Sequence, residues 1–185
     1  MQAEDCFSAD YATARRKFVE AASAAGAVTE SLAHPGKGPA GEALTMDVAW
    51  IGPAEAERVL VTCSGMHGVE GFCGSAGQIA WLASGLCRDL PDGVAWLAVH
   101  AVNPYGFAWH RRTNEDNVDL NRNFIDHEAG HPENNGYQAL ASAICPPNLD
   151  SETMVASRKA LEAYEAEHGL TAWLNAVVKD RKSTR

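Results

Sequence analysis

The sequence has no apolar run approaching the ~20 residues needed to cross a bilayer. Its first ten residues hold no basic stretch followed by an apolar one, so neither a membrane span nor a secretory leader is expected and the chain reads as soluble. Positive charge is scarce as well: 15 Lys and Arg against 24 Asp and Glu give a formal net charge of -9. That balance argues against a nucleic-acid or anionic-membrane surface, either of which needs clustered cations. Close cysteine pairs are also lacking. The five cysteines, Cys6, Cys63, Cys73, Cys87 and Cys145, are odd in number and lie among apolar neighbours, so reduced core residues and a cytoplasmic location are the expectation. There is no internal repeat and no low-complexity tract. What remains is an ordinary globular composition over 185 residues, 46% hydrophobic and 21% charged, from which a single domain spanning 1–185 is expected.

Apolar residues at Phe7, Tyr11, Ala14, Phe18, Ala22 and Ala25 keep helical spacing, with Ser8 or Asp10 as cap and Gly26 as stop. Pro35 to Gly41 reads as a loop. Leu44, Met46, Val48 and Trp50 then alternate with their neighbours as in a half-buried strand ended by Pro53. Arg58 to Cys63 is a short apolar β-rich run of the kind buried on both faces. A glycine-rich stretch follows, then a helix from Gly74 to Leu86 with Ile79, Leu82 and Leu86 on one side, then a second buried strand, Val94 to Val99. Strand, glycine-rich loop, helix and strand in that order suggest a largely parallel sheet, in which functional groups collect beyond the carboxyl ends of the strands. His100 to Phe124 is long, polar and rich in aromatics, the character of a functional loop. Helices are expected at about Gly136 to Ile144 and from Ser151 onward.

Two segments carry chemistry. His67 and Glu70 sit in Ser64-Gly65-Met66-His67-Gly68-Val69-Glu70-Gly71, directly after a buried strand. An imidazole and a carboxylate there suit zinc, and the glutamate would itself be a ligand, unlike the base of the helical His-Glu-x-x-His pattern. The alternative is a loop histidine beside an exposed glutamate. The long loop supplies Arg112, Asn114 and then Asp119-Leu120-Asn121-Arg122-Asn123-Phe124. An Arg fork with a neighbouring Asn amide can hold a carboxylate, and a separate Arg can stabilise an oxyanion. A solvated polar loop pinned by an Arg-Asp pair is the bland alternative.

SGMHGVEG after a strand, followed by NPYGFAWHRRTNEDNVDLNRNF, resembles the zinc carboxypeptidase superfamily, the carboxypeptidase A-like metallopeptidases. The nearest likeness is to a bacterial branch labelled only as a domain of unknown function, and it runs from the first helix to about Lys179. The resemblance implies an α/β protein: a partial three-layer zinc-carboxypeptidase-like fold with a mostly parallel mixed sheet flanked by helices. It makes His67 and Glu70 the first two ligands of one zinc ion. Arg112 becomes the group that polarises the scissile carbonyl, with Arg111 a lesser claimant, and Asn121 with Arg122 the pair that grips a free carboxylate. Asn103-Pro104 is similar to a structural turn of the family.

The same pattern requires a third ligand, a histidine on a later strand, and a glutamate base further on. The sequence ends before either, so a truncated domain with weakly held zinc is expected. His100, His110, His127, His131 and His168 do not lie where the family places the ligand and read as surface or loop residues, His100 being nearest the site. The implied reaction is hydrolysis of a C-terminal peptide bond; an aspartoacylase-like deacylation of N-acyl amino acids is the enzymatic alternative. Either substrate is a small peptide or acylated amino acid with a free carboxylate. A rival of another class is a non-catalytic, truncated metal-binding fragment, since the stripe Leu170, Trp173, Leu174, Val177 and Val178 runs into KDRKSTR without a partner surface.

Overall fold

The structure, a computed structural model, describes residues 3–124, 126, 128 and 134–178. The chain divides into two compact units, Met1–Leu120 and Asn121–Arg185.

In the first unit, helix α1 spans Tyr11–Ala25. Asp10 caps it from an extended backbone, its carboxylate accepting from Thr13 N at 2.7 Å, and Gly26 at φ 76° ends it in the left-handed region. Tyr11, Ala14, Phe18, Ala22 and Ala25 form its buried stripe as the spacing predicts, whereas Phe7 lies before the helix and is exposed, the Asp10 cap starting the helix after it. The sheet has four strands in the order β1-β2-β4-β3: β1 Val28–Lys37, β2 Ala43–Ile51, β3 Arg58–Cys63 and β4 Val94–His100. Helix α2, Gly71–Ser84, connects β3 to β4. Phe18, Ala22, Ala49, Ile79, Leu82, Trp96 and Ala98 share one core, so α1 and α2 cover the sheet face that carries Ala49, Trp96 and Ala98. Burying Phe18, Ile79, Leu82 and Trp96 contributes roughly 1.5–3 kcal/mol for each side chain.

The mixed sheet flanked by helices is present, but the expected weight of parallel pairing is not. Only β3 and β4 run parallel; β1 with β2 and β2 with β4 are antiparallel. A parallel pair needs a crossover, and α2 is the one crossover helix here, whereas β1 and β2 are joined by a tight turn at Gly38–Gly41. Strand β1 itself runs through Pro35, where a loop is expected from the sequence. It lies at a sheet edge with mostly exposed residues, and a register shift between His34 and Lys37 accommodates the proline, which has no N–H to donate.

Strand β3 is formed as expected but is not buried on both faces. It lies at the other edge, with Val59, Leu60 and Val61 exposed at 42%, 43% and 52%. Apolar content records what a strand is able to bury, not whether a neighbour covers it. Arg58 N donates to Gly93 O and Ser64 N to Val99 O, so alternation turns the N–H and C=O groups of Val59, Val61 and Cys63 toward the open edge. The cysteines divide similarly: Cys6 and Cys87 are buried, whereas Cys63, Cys73 and Cys145 are exposed, because β3, the first turn of α2 and the end of α4 leave them at the surface.

Two buried polar groups lie side by side in this sheet, Asp47 on β2 being the register partner of His100 on β4. Asp47 takes Arg15 Nε at 2.8 Å and Nη2 at 3.1 Å, with hydroxyl bonds from Thr45 and Ser31. Burial pushes its carboxyl upward, but these donors outweigh burial and hold it below the usual carboxylate range. His100 is fully buried rather than at a surface, because β4 carries its alternate residues into the core. Its Nε2 pairs with Ser75 Oγ at 2.9 Å, its ring stacks on Phe18 at 4.5 Å, and its Nδ1 has no partner among the described residues. Burial lowers it from the ordinary 6.5 to about 4, against a smaller upward pull from Asp47.

The second unit holds helices α4 Asn135–Ile144, α5 Ser151–His168 and α6 Leu170–Val178. Asn134 and Asp150 cap the first two through Tyr137 N and Thr153 N. The expected stripe on α6 is only partly covered. Leu170 and Leu174 are 57% and 43% exposed while Ala176 is buried, so the inward face is set by the small residue that lets α4 approach. The Val178 side chain lies outside the described residues, as do His127 and His131. Among the described residues no helix is long and apolar enough to cross a membrane.

Candidate metal centre

The chain leaves β3 through Ser64 and Gly65 and is stitched to the chain leaving β4. Val102 N donates to Ser64 O and Asn103 N to Gly65 O, each at 2.9 Å. Gly65 is left-handed, at φ 69°, and lies against the Ala101 backbone. Three residues beyond, Gly68 N donates to Arg111 O at 2.9 Å, and a Cβ on Gly68 would run into the Gly106 carbonyl. His67 is therefore held between two chains that approach as closely as glycine permits.

The other chain is more ordered than its polar sequence suggests. Asn103 caps a short helix, α3 Pro104–Ala108, by accepting from Gly106 N at 2.8 Å, which gives Asn103-Pro104 the structural part expected of it. Beyond α3, Asn114 folds the chain back. Its side-chain oxygen accepts from Asp116 N and Val118 N, its own N–H reaches Val118 O at 3.0 Å, and Asn117 takes φ 64°. That turn returns Asp119 to the side of Arg112.

Here the site closes. His67, 8% exposed, faces Glu70 Oε2 through Nδ1 at 3.2 Å and Asp119 Oδ1 through Nε2 at 2.9 Å. Arg112 Nε donates to the other Asp119 oxygen at 2.9 Å, and its Nη1 lies 3.9 Å from Glu70 Oε1. Asp119 feels burial, which raises its carboxyl, but the His67 and Arg112 hydrogen bonds and the Arg112 charge prevail and keep it below the usual range. A neutral His67 that carries its proton on Nε2 donates to Asp119 and turns its Nδ1 lone pair toward Glu70. The imidazole thus bridges two carboxylates, one at each ring nitrogen. Glu70 has 71% of its side chain exposed.

Three of the residues singled out from sequence, His67, Glu70 and Arg112, thus come together. Arg111 does not join them: it donates to Asn117 Oδ1 at 3.1 Å and lies over the Tyr105 ring at 5.9 Å. Asn121 and Arg122 lie in the second unit on a 3-10 turn, Leu120–Arg122, where Arg122 Nη1 donates to Asn121 O at 3.0 Å. His110 is exposed and edge-on to Phe72, and His168 pairs with Tyr164. Among the described residues no three His, Cys, Asp or Glu side chains are placed to hold a metal ion together. Asp119 forms with Arg112 the Arg-Asp pair that the sequence offered as the bland alternative for this loop, but its contact with His67 was not expected. Its place in the sequence, immediately before Leu120-Asn121-Arg122, gave no sign of that contact.

A groove of about 690 Å³ between α1 and α2, lined by Arg16, Lys17, Ile79, Leu82 and Arg88 among others, includes none of these residues. Its cations are already engaged: Lys17 by the Asp5 and Phe7 carbonyls, Arg16 by Glu20, and Arg88 by the Ala24 and Ala25 carbonyls.

The sequence profile of the family described as "Protein of unknown function (DUF2817)" matches residues 7–180. The chain belongs to this family. Among solved structures, this DUF2817 chain is similar to Porphyromonas gingivalis glutaminyl cyclase, at 17% identity and a TM-score of 0.34. The match covers 78% of this chain and 55% of that one, so the DUF2817 chain spans about half the length of the cyclase. No curated protein matches it.

Proposed function

We propose that this chain forms the metal-binding part of a zinc-dependent amide hydrolase of the carboxypeptidase type, acting on a small peptide or N-acylated amino acid with a free carboxylate. The observation that carries this reading is the His67 ring, fixed on Asp119 through Nε2 and facing Glu70 through Nδ1. The donor set fits the group: a neutral imidazole nitrogen and a carboxylate oxygen are both good zinc ligands. Bound there, zinc supplies Lewis-acid polarisation of a carbonyl and of a water. The chain's own residues do the rest. Asp119 holds the His67 tautomer, and Arg112, anchored through Nε, keeps its remaining N–H donors for a carbonyl oxygen that gains negative charge. The carboxylate-gripping role proposed for Asn121 and Arg122 rests on their amide and guanidinium chemistry and on the resemblance alone.

The donor count favours metal binding with little turnover, because two protein ligands fall short of the three usual in catalytic sites and Glu70 cannot serve as base while ligating. Isothermal titration tests the reading. One zinc per chain with weak affinity is expected, lost in His67→Ala and kept in Cys63→Ser and Cys73→Ser. Unchanged affinity in His67→Ala sinks the assignment.

A further inference from the structure

We infer that Gln78, in the middle of α2, is the positioning residue that sets the spacing between the two site-bearing chains; this rests on the reading of His67, Glu70, Arg112 and Asp119 given above. Gln78 is 5% exposed on α2 and touches none of those residues' polar atoms. Its Nε2 donates to Thr62 O at 3.1 Å on β3 and to Val99 O at 3.2 Å on β4. Its Oε1 accepts from the Ser64 hydroxyl at 2.9 Å, and Ser64 Oγ in turn accepts from Ala101 N at 3.4 Å. The orientation of the amide follows from chemistry, because two carbonyl oxygens accept only and the NH₂ group must face them.

These bonds fall at one level of the fold, where β3 and β4 stop pairing. From there β3 continues to His67 and Glu70, and β4 continues through Ala101 to α3, Arg112 and Asp119. Both exits are backbone-sensitive. Ala101 is a fully buried non-glycine at φ 59°, and Gly65 lies against its Cα at 2.9 Å from where a Cβ would stand. A non-glycine residue in that region persists only when its surroundings over-determine it, and the Ser64 hydroxyl on the Ala101 N–H is such a determinant. The relay Ala101 N–H to Ser64 to Gln78, and from Gln78 to both strands, thus fixes the gap across which His67 meets Asp119.

The test uses the full chain labelled with ¹⁵N and reads amide exchange at Gly68, Val102 and Asn103, whose N–H groups make the stitches between the two chains. In Gln78→Leu, which keeps the bulk and loses every donor, exchange at these three amides should rise on the order of ten- to a hundredfold, as expected for leaving buried acceptors unpaired. Exchange across the β1–β2 pairing should stay at its wild-type rate. Ser64→Ala, a milder change that carries the test if Gln78→Leu does not fold, should loosen the same amides. Ser75→Ala on the same helix loses its bond to His100 and should leave them unchanged. Zinc titration forms the second arm: affinity should fall in Gln78→Leu and Ser64→Ala and persist in Ser75→Ala. Unchanged exchange at the three amides, or a uniform rise that includes β1 and β2, overturns the positioning role. If the wild type takes up no zinc, the functional reading fails, while the exchange arm still decides whether Gln78 spaces the two chains.

Discussion

Acidification from pH 7 to pH 5 should destabilise the first unit through one residue, His100. In the folded chain its imidazole is held neutral down to about 4, whereas on unfolding it returns to the ordinary 6.5. Between those values the unfolded chain binds a proton that the folded chain refuses, so unfolding free energy falls as pH falls. Above 6.5 both states are neutral and below about 4 both are charged, which confines the effect to that window. At pH 5 the unfolded imidazole is almost fully protonated and the folded one about a tenth, and integrating the difference from pH 7 gives about 2 kcal/mol, rising to about 3 kcal/mol at lower pH. Asp47 and Asp119, both held below the usual carboxylate range, stay ionised over this span, and their contribution is lost only at lower pH. Urea unfolding followed by tryptophan fluorescence in a Trp173→Phe background reads the same unit, which holds Trp50, Trp81, Trp96 and Trp109. The decisive comparison is His100→Leu, in which the difference between pH 7 and pH 5 should shrink by about 2 kcal/mol whatever the variant's absolute stability. An unchanged difference in His100→Leu would refute the reasoning.

Asp119→Asn keeps the shape of the outer anchor but lets the amide present a donor to His67; zinc affinity should fall roughly ten- to a hundredfold by calorimetry, and equal affinity would remove Asp119 from the site. Gly68→Ala forces a methyl onto the Gly106 and Arg111 carbonyls and should cost about 1–3 kcal/mol by thermal unfolding, with loss of zinc binding. A benzylsuccinate-like diacid should perturb the amide resonances around Asn121 and Arg122, and an equal response in Arg122→Ala would count against a carboxylate site there. The 185-residue chain with added zinc should show no useful turnover of C-terminal dipeptides or N-acyl amino acids; zinc-dependent turnover abolished in Glu70→Ala would show that a complete site is assembled.

Local signals in the sequence carried over well where one residue type decides the geometry. Asp10 and Gly26 bound α1 because a carboxylate cap and a left-handed glycine are local requirements. His67 and Glu70 stand close together for a similar local reason, since both lie in one glycine-flanked turn. Asp119 was harder to see. It lies 52 positions from His67, and the chain reversal that brings it back is made by the Asn114 side chain rather than by glycine or proline. Gln78 gave no signal, because a lone glutamine among apolar helix residues looks like any other polar position until the strands it bridges are placed. Parallel pairing was overestimated because β1, with its polar residues and Pro35, does not read as a strand, and the antiparallel half of the sheet begins there.

The open side of β3 bears on handling as well as on folding. A short strand of valine and leucine at a sheet edge, whose outward N–H and C=O groups meet no neighbouring strand among the described residues, is a template for any other extended chain, including a second β3. Edge strands are usually guarded by lysine, proline or an inward charge, and on β3 the only charged residue is Arg58, at its first position. Colloidal loss should therefore grow with protein concentration and respond to β3 more than to net charge. A lysine at Val61, whose N–H and C=O face the open edge, should raise the soluble yield without altering the stability of the core beneath it.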